Sequence, residues 1–172
     1  MKNRENRMFP AFVSLAGKKI YVIGGGRIAE RRVRTLSCFA EDVTVIAPEI
    51  SESLREVLKE EQYSSIETPY ESSFIEDGDM VLACTSDSAV NDRIWRDCRG
   101  RGIPVNHCGD KKRCDFHFPG VICRDEITVG INAGGKDHRK VKIVRRQLKD
   151  FLDSASAAQT DMEPEREKGE CK

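Results

Sequence analysis

Lys18-Lys19-Ile20-Tyr21-Val22-Ile23-Gly24-Gly25-Gly26-Arg27-Ile28-Ala29 carries an apolar run straight into three glycines and then into a helical pattern. Ile28, Val33, Leu36 and Phe39 recur at helical intervals from Arg27 to Ala40. A strand, a glycine turn and a helix in this order match G-x-G-x-x-A, a phosphate-binding turn. Gly24 allows the tight bend, Gly26 lets the main chain approach a pyrophosphate, and Ala29 is small enough for close helix–strand packing. The N–H groups at the helix start face the anion. The alternative is a glycine turn that serves chain reversal alone.

The pattern repeats downstream. Asp42–Ile46 is β-branched and stops at Ala47-Pro48, Ile50–Glu60 reads as a helix, and Ser65–Thr68 is a weak strand candidate. Asp79–Cys84 is a strong strand candidate, Ser88–Gly100 a helix ended by Gly102, and Ile103–Asn106 a fifth strand. This alternation over residues 16–110 predicts an α/β fold, a Rossmann-like doubly wound parallel sheet. Ligands bind such a sheet outside the carboxyl ends of its strands, where Thr85-Ser86-Asp87 and Asn106 lie. Those three residues also suit N-capping of the next helix. Glu49 is the carboxylate closest to the usual ribose-binding position, and no arginine stands at Ala47 or Pro48 to welcome a 2′-phosphate. NAD is therefore expected over NADP.

After residue 110 the pattern changes. Phe116–Cys123 and Ile127–Asn132 predict an antiparallel hairpin, followed by Gly134-Gly135 and a basic helix over Asp137–Leu152. The expected organisation is an NAD-binding Rossmann domain over 1–112, a dimerisation and substrate-binding hairpin and helix over 113–152, and a disordered tail over 153–172. A hairpin with one helix is too small to bury a core alone. It must pack on the Rossmann unit or on a second copy, and the second is the expectation.

Composition narrows the function classes. The 172 residues hold 29 Lys+Arg and 29 Asp+Glu, so the balance argues against a general nucleic-acid binder. Mean hydropathy is −0.53, and no apolar run approaches the length needed to span a bilayer. The first residues lack the apolar centre of a secretory signal, which gives a cytoplasmic expectation. The 7 cysteines are odd in number and include no C-x-x-C pair, so reduced thiols are expected rather than a disulfide scaffold or zinc ribbon. His107, Cys108, Asp110, Cys114, Asp115, His117 and Cys123 include plausible metal donors, but their spacing matches no closed site and no metal site is expected.

Several strings resemble precorrin-2 dehydrogenases, the amino-terminal part of siroheme synthases. They are Met8-Phe-Pro-Ala-Phe12, Val22-Ile-Gly-Gly-Gly-Arg-Ile-Ala-Glu-Arg-Arg32, Val43-Thr-Val-Ile-Ala-Pro-Glu49 and Ala83-Cys-Thr-Ser-Asp87. Asn91, Val105-Asn106, Cys114-Asp-Phe-His-Phe-Pro119 and Gly134-Gly-Lys136 extend the resemblance over about residues 8–150. It implies NAD-dependent oxidation of precorrin-2 to sirohydrochlorin, insertion of ferrous iron by some members, and an interlocked homodimer. Gly24, Gly26, Arg27 and Ile28 would line the pyrophosphate. Ala47, Pro48 and Glu49 would flank the adenosine, with Thr85 and Asn106 nearer the nicotinamide.

Two departures bear on catalysis. The family reads Val-Asn-Val-Val-Asp after the fifth strand, whereas this chain reads Val105-Asn106-His107-Cys108-Gly109, with Asp110 one place later. Asn132-Ala133 replaces the usual serine-rich pair before the glycines. Asp110 and His107 are the acid/base candidates, His107 equally as a satisfied histidine at a strand end. Precorrin-2 carries eight carboxylates, so Lys111, Lys112, Lys136 and Arg139 are candidates to bind it; a solvated basic helix face is the alternative. A non-catalytic NAD- or tetrapyrrole-binding relative that has lost the acidic residue at Gly109 is the second reading. A redox-sensing thiol protein rests on the cysteine count alone.

Overall fold

The computed structural model describes residues 8–134 and 137–160. Its contacts divide into two compact units, residues 9–118 and the segment from Pro119 onward with Met8.

In the first unit, β1 (Lys19–Ile23), β2 (Asp42–Ile46), β3 (Ser64–Ile66), β4 (Met80–Ala83) and β5 (Val105–His107) form a parallel sheet in the order β3-β2-β1-β4-β5. The connecting helices are α1 (Arg27–Leu36), α2 (Glu52–Glu60) and α3 (Ser88–Arg101). The order reverses at β1/β4, the switch point where a doubly wound sheet opens a crevice.

Side chains alternate between the sheet faces. Ile20, Val22, Val45 and Leu82 meet Ala29 and Val33 of α1 and Leu54 and Val57 of α2. Ile23, Val81, Ala83 and Val105 meet Ile94 and Cys98 of α3 and Ile75 of a 3₁₀ turn over Ser72–Ile75. Burying each large aliphatic side chain contributes about 1.5–3 kcal/mol. The free edge of β5 is closed locally. Asp115 donates its N–H to the Val105 carbonyl at 2.9 Å and accepts the Val105 N–H on its carboxylate at 3.0 Å. Asp115 is thus committed to holding a strand.

The second unit holds β6 (Gly120–Arg124) and β7 (Ile127–Ile131), an antiparallel pair joined through Asp125 at φ +49°, and α4 (His138–Thr160). Ile122 is the buried hydrophobic residue among those described in this unit, whereas Ile127, Ile143, Leu148 and Phe151 are exposed. A cavity of about 400 Å³ lies between β6 and α4, lined in part by Val121, Ile143, Arg145 and Lys149.

Three sequence expectations are corrected. The strand expected from Phe116 begins at Gly120, because Asp115 and Phe116 are spent on β5 and its loop and Pro119 lacks an N–H for a ladder. The first helix ends at Leu36 rather than Ala40, with Phe39 and Ala40 both donating back to the Leu36 carbonyl. The order expected to stop at Asp153 continues as helix to Thr160; the rest of the expected tail lies outside the described residues. Among the described residues no helix is long and apolar enough to cross a membrane.

Candidate functional site

The glycine turn sits at the carboxyl end of β1, and its three glycines do different work. Gly24 has φ +129°, and a Cβ there would lie 2.6 Å from the Cys84 carbonyl oxygen. At Gly25 a Cβ would lie 1.8 Å from the main-chain oxygen of Glu49. The two loops are also tied by hydrogen bonds: Ser51 N–H donates to the Gly25 carbonyl at 2.9 Å, and Gly24 N–H to Ile46 at 2.8 Å. A Cβ on Gly26 would meet nothing within 4 Å.

Open space therefore stands directly before α1. The first hydrogen bond of that helix is donated by Glu30 to the Gly26 carbonyl at 3.0 Å. No side chain caps the helix, so the N–H groups of Arg27, Ile28 and Ala29 point out of its end. A space that a side chain would fill, faced by unpaired donors and the positive end of a helix dipole, fits a pyrophosphate. Ala29 is fully buried against the sheet, while Arg27 and Ile28 are exposed beside the opening. The role of Gly25 escaped the sequence reading, since G-x-G leaves the middle position free.

After β2, Ala47 is buried and Pro48 and Glu49 are exposed. After β4, Asn91 organises the turn. This residue of α3 is 3 % exposed, accepts the Thr85 N–H at 3.1 Å and donates to the Thr85 carbonyl at 3.0 Å. The Thr85 hydroxyl donates to the Asp87 carbonyl at 2.8 Å, and Asp87 caps α3 by accepting from Ala89 and Val90. N-capping is thus what Asp87 does, and Asn91 is a positioning residue that its place in the resemblance had marked without a role.

The segment after β5 is organised by hydrogen bonds to buried side chains. Asn106 donates from Nδ2 to the Phe116 carbonyl at 2.8 Å, closing the loop. His107, 4 % exposed, accepts at Nδ1 from the N–H groups of Asp110 (2.9 Å) and Gly109 (3.2 Å). That fixes the proton on Nε2, which donates to Asp92 at 3.1 Å. Both ring nitrogens are committed, so His107 holds the loop and has no lone pair to offer as a base. The sequence could not distinguish these roles because Asp92 lies on a different element.

Asp110 follows with a half-exposed carboxylate. Oδ1 accepts the Lys112 N–H at 2.9 Å, capping a 3₁₀ turn over Lys111–Arg113, and Oδ2 lies 3.5 Å from Arg113 Nε. Arg113 also pairs with Asp92 and stacks 5.2 Å from the Trp95 ring centroid. The Arg113 hydrogen bond, helped by His107, holds the Asp92 carboxyl below the usual carboxylate range.

Of the candidates, Gly24, Gly26, Arg27, Ile28, Ala47, Pro48, Glu49, Thr85, Asn106 and Asp110 are all on the first unit: the two glycines in the turn after β1, Arg27 and Ile28 at the start of α1, Ala47, Pro48 and Glu49 after β2, Thr85 after β4, Asn106 within β5 and Asp110 after it. Lys111 and Lys112 are exposed on the 3₁₀ turn of that unit, and Arg139 is exposed on α4 of the other. Lys136 lies outside the described residues.

Comparison with known proteins agrees with this geometry. A family model described as "Putative NAD(P)-binding" matches residues 11–120. The chain is 32 % identical over 144 residues to a siroheme synthase from Psychrobacter sp. (strain PRwf-1), covering 84 % of this chain and 30 % of that protein. It is 36 % identical over 142 residues to a probable multifunctional siroheme biosynthesis protein HemA from Ruminiclostridium josui, covering 82 % and 28 %. The chain thus spans under a third of the length of these curated relatives. The fold is that of a solved structure titled "SirC, precorrin-2 dehydrogenase", with a TM-score of 0.72 and 22 % identity over 90 % of this chain and 76 % of that one. With its glycine turn, its sheet order and the match over residues 11–120, the chain belongs to the NAD(P)-binding family, and its relatives include siroheme synthases.

Proposed function

We propose that the protein is a precorrin-2 dehydrogenase of siroheme biosynthesis, oxidising precorrin-2 to sirohydrochlorin with NAD. The observation that carries this reading is the open cradle before Gly26, faced by the N–H groups of residues 27–29. The likeness to siroheme synthases supports the choice of substrate. The overall change is precorrin-2 + NAD⁺ → sirohydrochlorin + NADH + H⁺. The nicotinamide, when bound, supplies the hydride acceptor.

What the chain itself does is bind, orient and take a proton. Gly24, Gly26, Arg27 and Ile28 hold the pyrophosphate, and Ala47, Pro48 and Glu49 flank the adenosine, with Glu49 offering a carboxylate to ribose hydroxyls. Thr85, fixed by Asn91, and Asn106, fixed through Phe116, shape the nicotinamide end. Asp110 accepts the proton at its carboxylate. His107 positions it through the hydrogen bond from Asp110 N–H. Lys111, Lys112, Arg139 and Lys136 engage the substrate carboxylates, and the apolar side chains exposed on the hairpin and α4 join two copies into a homodimer. Ferrous iron, inserted into the product, is a second substrate in this reading.

The test is an anaerobic assay with NAD and precorrin-2, following the visible spectrum and NADH together, then repeated on sirohydrochlorin with ferrous iron. Sirohydrochlorin and NADH formed in equal amounts support the dehydrogenase; NAD binding without turnover refutes it. One observation favours the second reading, a binding relative without catalysis: glycine stands at 109. A Cβ there would lie 3.4 Å from His107 Cε1, so Gly109→Asp is sterically accommodated. Turnover gained only in that variant would establish the second reading.

A further inference from the structure

The register of the sheet sets two cysteines side by side. Ala83 of β4 pairs with His107 of β5, so the next residues, Cys84 and Cys108, face each other across the strand ends. Cys108 N–H donates to the Ala83 carbonyl at 3.0 Å, which carries the ladder to that point. Neighbouring strands run about 4.8 Å apart, within the Cα separation of roughly 4.4–6.8 Å that a disulfide spans. Both side chains fall on the face covered by α1 and α2, Cys84 in the core and Cys108 packed against it. Their sulfurs are 3.0 Å apart, so bonding at about 2.05 Å asks for an approach of about 1 Å.

The two thiols differ in access and in charge. Cys84 is buried and Cys108 partly exposed. Arg32 of α1 is held 4.2 Å from the Phe118 ring centroid, and its buried Nε has no hydrogen-bond partner. The hydrogen bond from Cys84 and the positive charges of Arg32 and Arg31 bring the Cys108 thiol down to about 7, against burial, which pushes it up. The same hydrogen bond, with burial, pushes Cys84 up. Cys114, the third thiol of the cluster, is pushed up by burial and lies 3.3 Å from the His107 carbonyl. One accessible thiolate touching one buried thiol is the arrangement of an attacking and a resolving sulfur.

We propose that Cys84 and Cys108 form a reversible dithiol–disulfide couple that exchanges with small-molecule disulfides, with Cys108 attacking and Cys84 resolving. The Cys108 thiolate attacks one sulfur of RSSR, forming Cys108–S–S–R and expelling RS⁻. Cys84 gives its proton to that thiolate, and its sulfur then displaces the second RS⁻ from Cys108. Two electrons pass from the protein sulfurs to RSSR, leaving a Cys84–Cys108 bond, one RSH and one RS⁻. Excess thiol runs the sequence backwards. This chemistry is separate from hydride transfer and does not depend on the proposed function.

The experiment treats the reduced full chain with glutathione disulfide at neutral pH, quenches with iodoacetamide and maps the linked peptides by mass. The expected result is a Cys84–Cys108 link that forms ahead of any link to Cys38, Cys98, Cys114, Cys123 or Cys171 and is reversed by dithiothreitol. Cys84→Ala stops at a glutathione adduct on Cys108. A link between other cysteines in its place, or no link, overturns the proposal. Native alkylation provides a measurement that needs no variant. The hydrogen bond from Cys84 and the charges of Arg32 and Arg31 lower the Cys108 thiol from its ordinary value of 9.0, so it carries more thiolate at neutral pH than an ordinary thiol does. Its alkylation rate should therefore reach half its plateau near pH 7, and a midpoint near 9 overturns the assignment of Cys108 as the attacking sulfur.

Discussion

Replacing Gly25 and Gly26 in turn separates what the glycine turn does for the fold from what it does for a ligand. In Gly25→Ala the new Cβ would stand 1.8 Å from the Glu49 oxygen, 2.8 Å from its carbon and 2.9 Å from Ile50 Cα. All three are main-chain atoms, so no side chain can swing aside. To restore a contact of 3.4 Å the loop after β2 must retreat by about 1.6 Å. The hydrogen bond from Ser51 N–H to Gly25 opposes that retreat. Overpacking of this kind costs about 1–3 kcal/mol, and a lost hydrogen bond adds about 1 kcal/mol. For a chain of this size the sum, about 2–4 kcal/mol, lowers the melting temperature by about 4–16 °C. Gly26 is the opposite case. Its φ of −98° suits any residue, its Cβ would meet nothing, and serine is a better helix N-cap than most. Gly26→Ser should melt at or above the parent temperature, while the hydroxymethyl group occupies the cradle and weakens NAD binding at least tenfold, about 1.4 kcal/mol. Thermal melts by circular dichroism and calorimetric titration with NAD measure the two effects. A Gly25→Ala protein that melts like the parent refutes the steric argument, and undiminished NAD binding by Gly26→Ser removes the pyrophosphate from the front of α1.

Three further outcomes follow from contacts described above. Asn91→Ala strands the Thr85 N–H and carbonyl, both served by one buried amide; a loss of about 2–4 kcal/mol is expected in urea unfolding, and weaker NAD binding with it. Asp92 has its folded pKa depressed below 3.8, so its contribution is fully present above the ordinary value and lost as pH falls through the lower folded one. Asp92→Asn should therefore destabilise the protein at neutral pH and flatten the acid limb of its stability curve; an acid limb like the parent's would contradict the Asp92–Arg113 pairing. Ile143→Asp with Phe151→Asp places charges on the exposed apolar face of α4. The proposed homodimer predicts a dimer mass for the parent in sedimentation and a monomer mass for this variant, and an unchanged mass would place the subunit contact elsewhere.

The parts of this molecule legible from sequence are those set by local pattern. The β-branched runs ending in glycine or proline give β1 and β2 directly, and the apolar face of Val90, Ile94 and Cys98 gives α3 with Gly102 as its stop. What escaped depends on contacts between distant residues or on a criterion that does not apply. The Gly25 clash exists only because the Glu49 main chain comes beside it. The engagement of His107 needs Asp92, fifteen positions earlier on another element. The last turns of α4 show no apolar stripe, but Asp153-Ser-Ala-Ser-Ala-Ala-Gln-Thr160 is rich in alanine, the strongest helix former. Ser154 also returns its hydroxyl to the Asp150 carbonyl at 2.8 Å, and Asp153 lies 3.6 Å from Arg124. Helix propensity and a buried face are separate properties, and only the second leaves an apolar periodicity in the sequence.

In the cofactor site proposed above, the close fit of Gly25 to the Glu49 main chain also limits how a preference among nucleotides can change. Any re-bending of the loop after β2 toward the glycine turn runs into a main chain already in contact with Gly25, so backbone changes there are tightly constrained. Pro48 and Glu49, by contrast, are exposed and can be exchanged without moving the backbone. Selection, or a protein engineer, is left with the side chains of two adjacent positions as the adjustable alphabet, written on a main chain that must stay where it is.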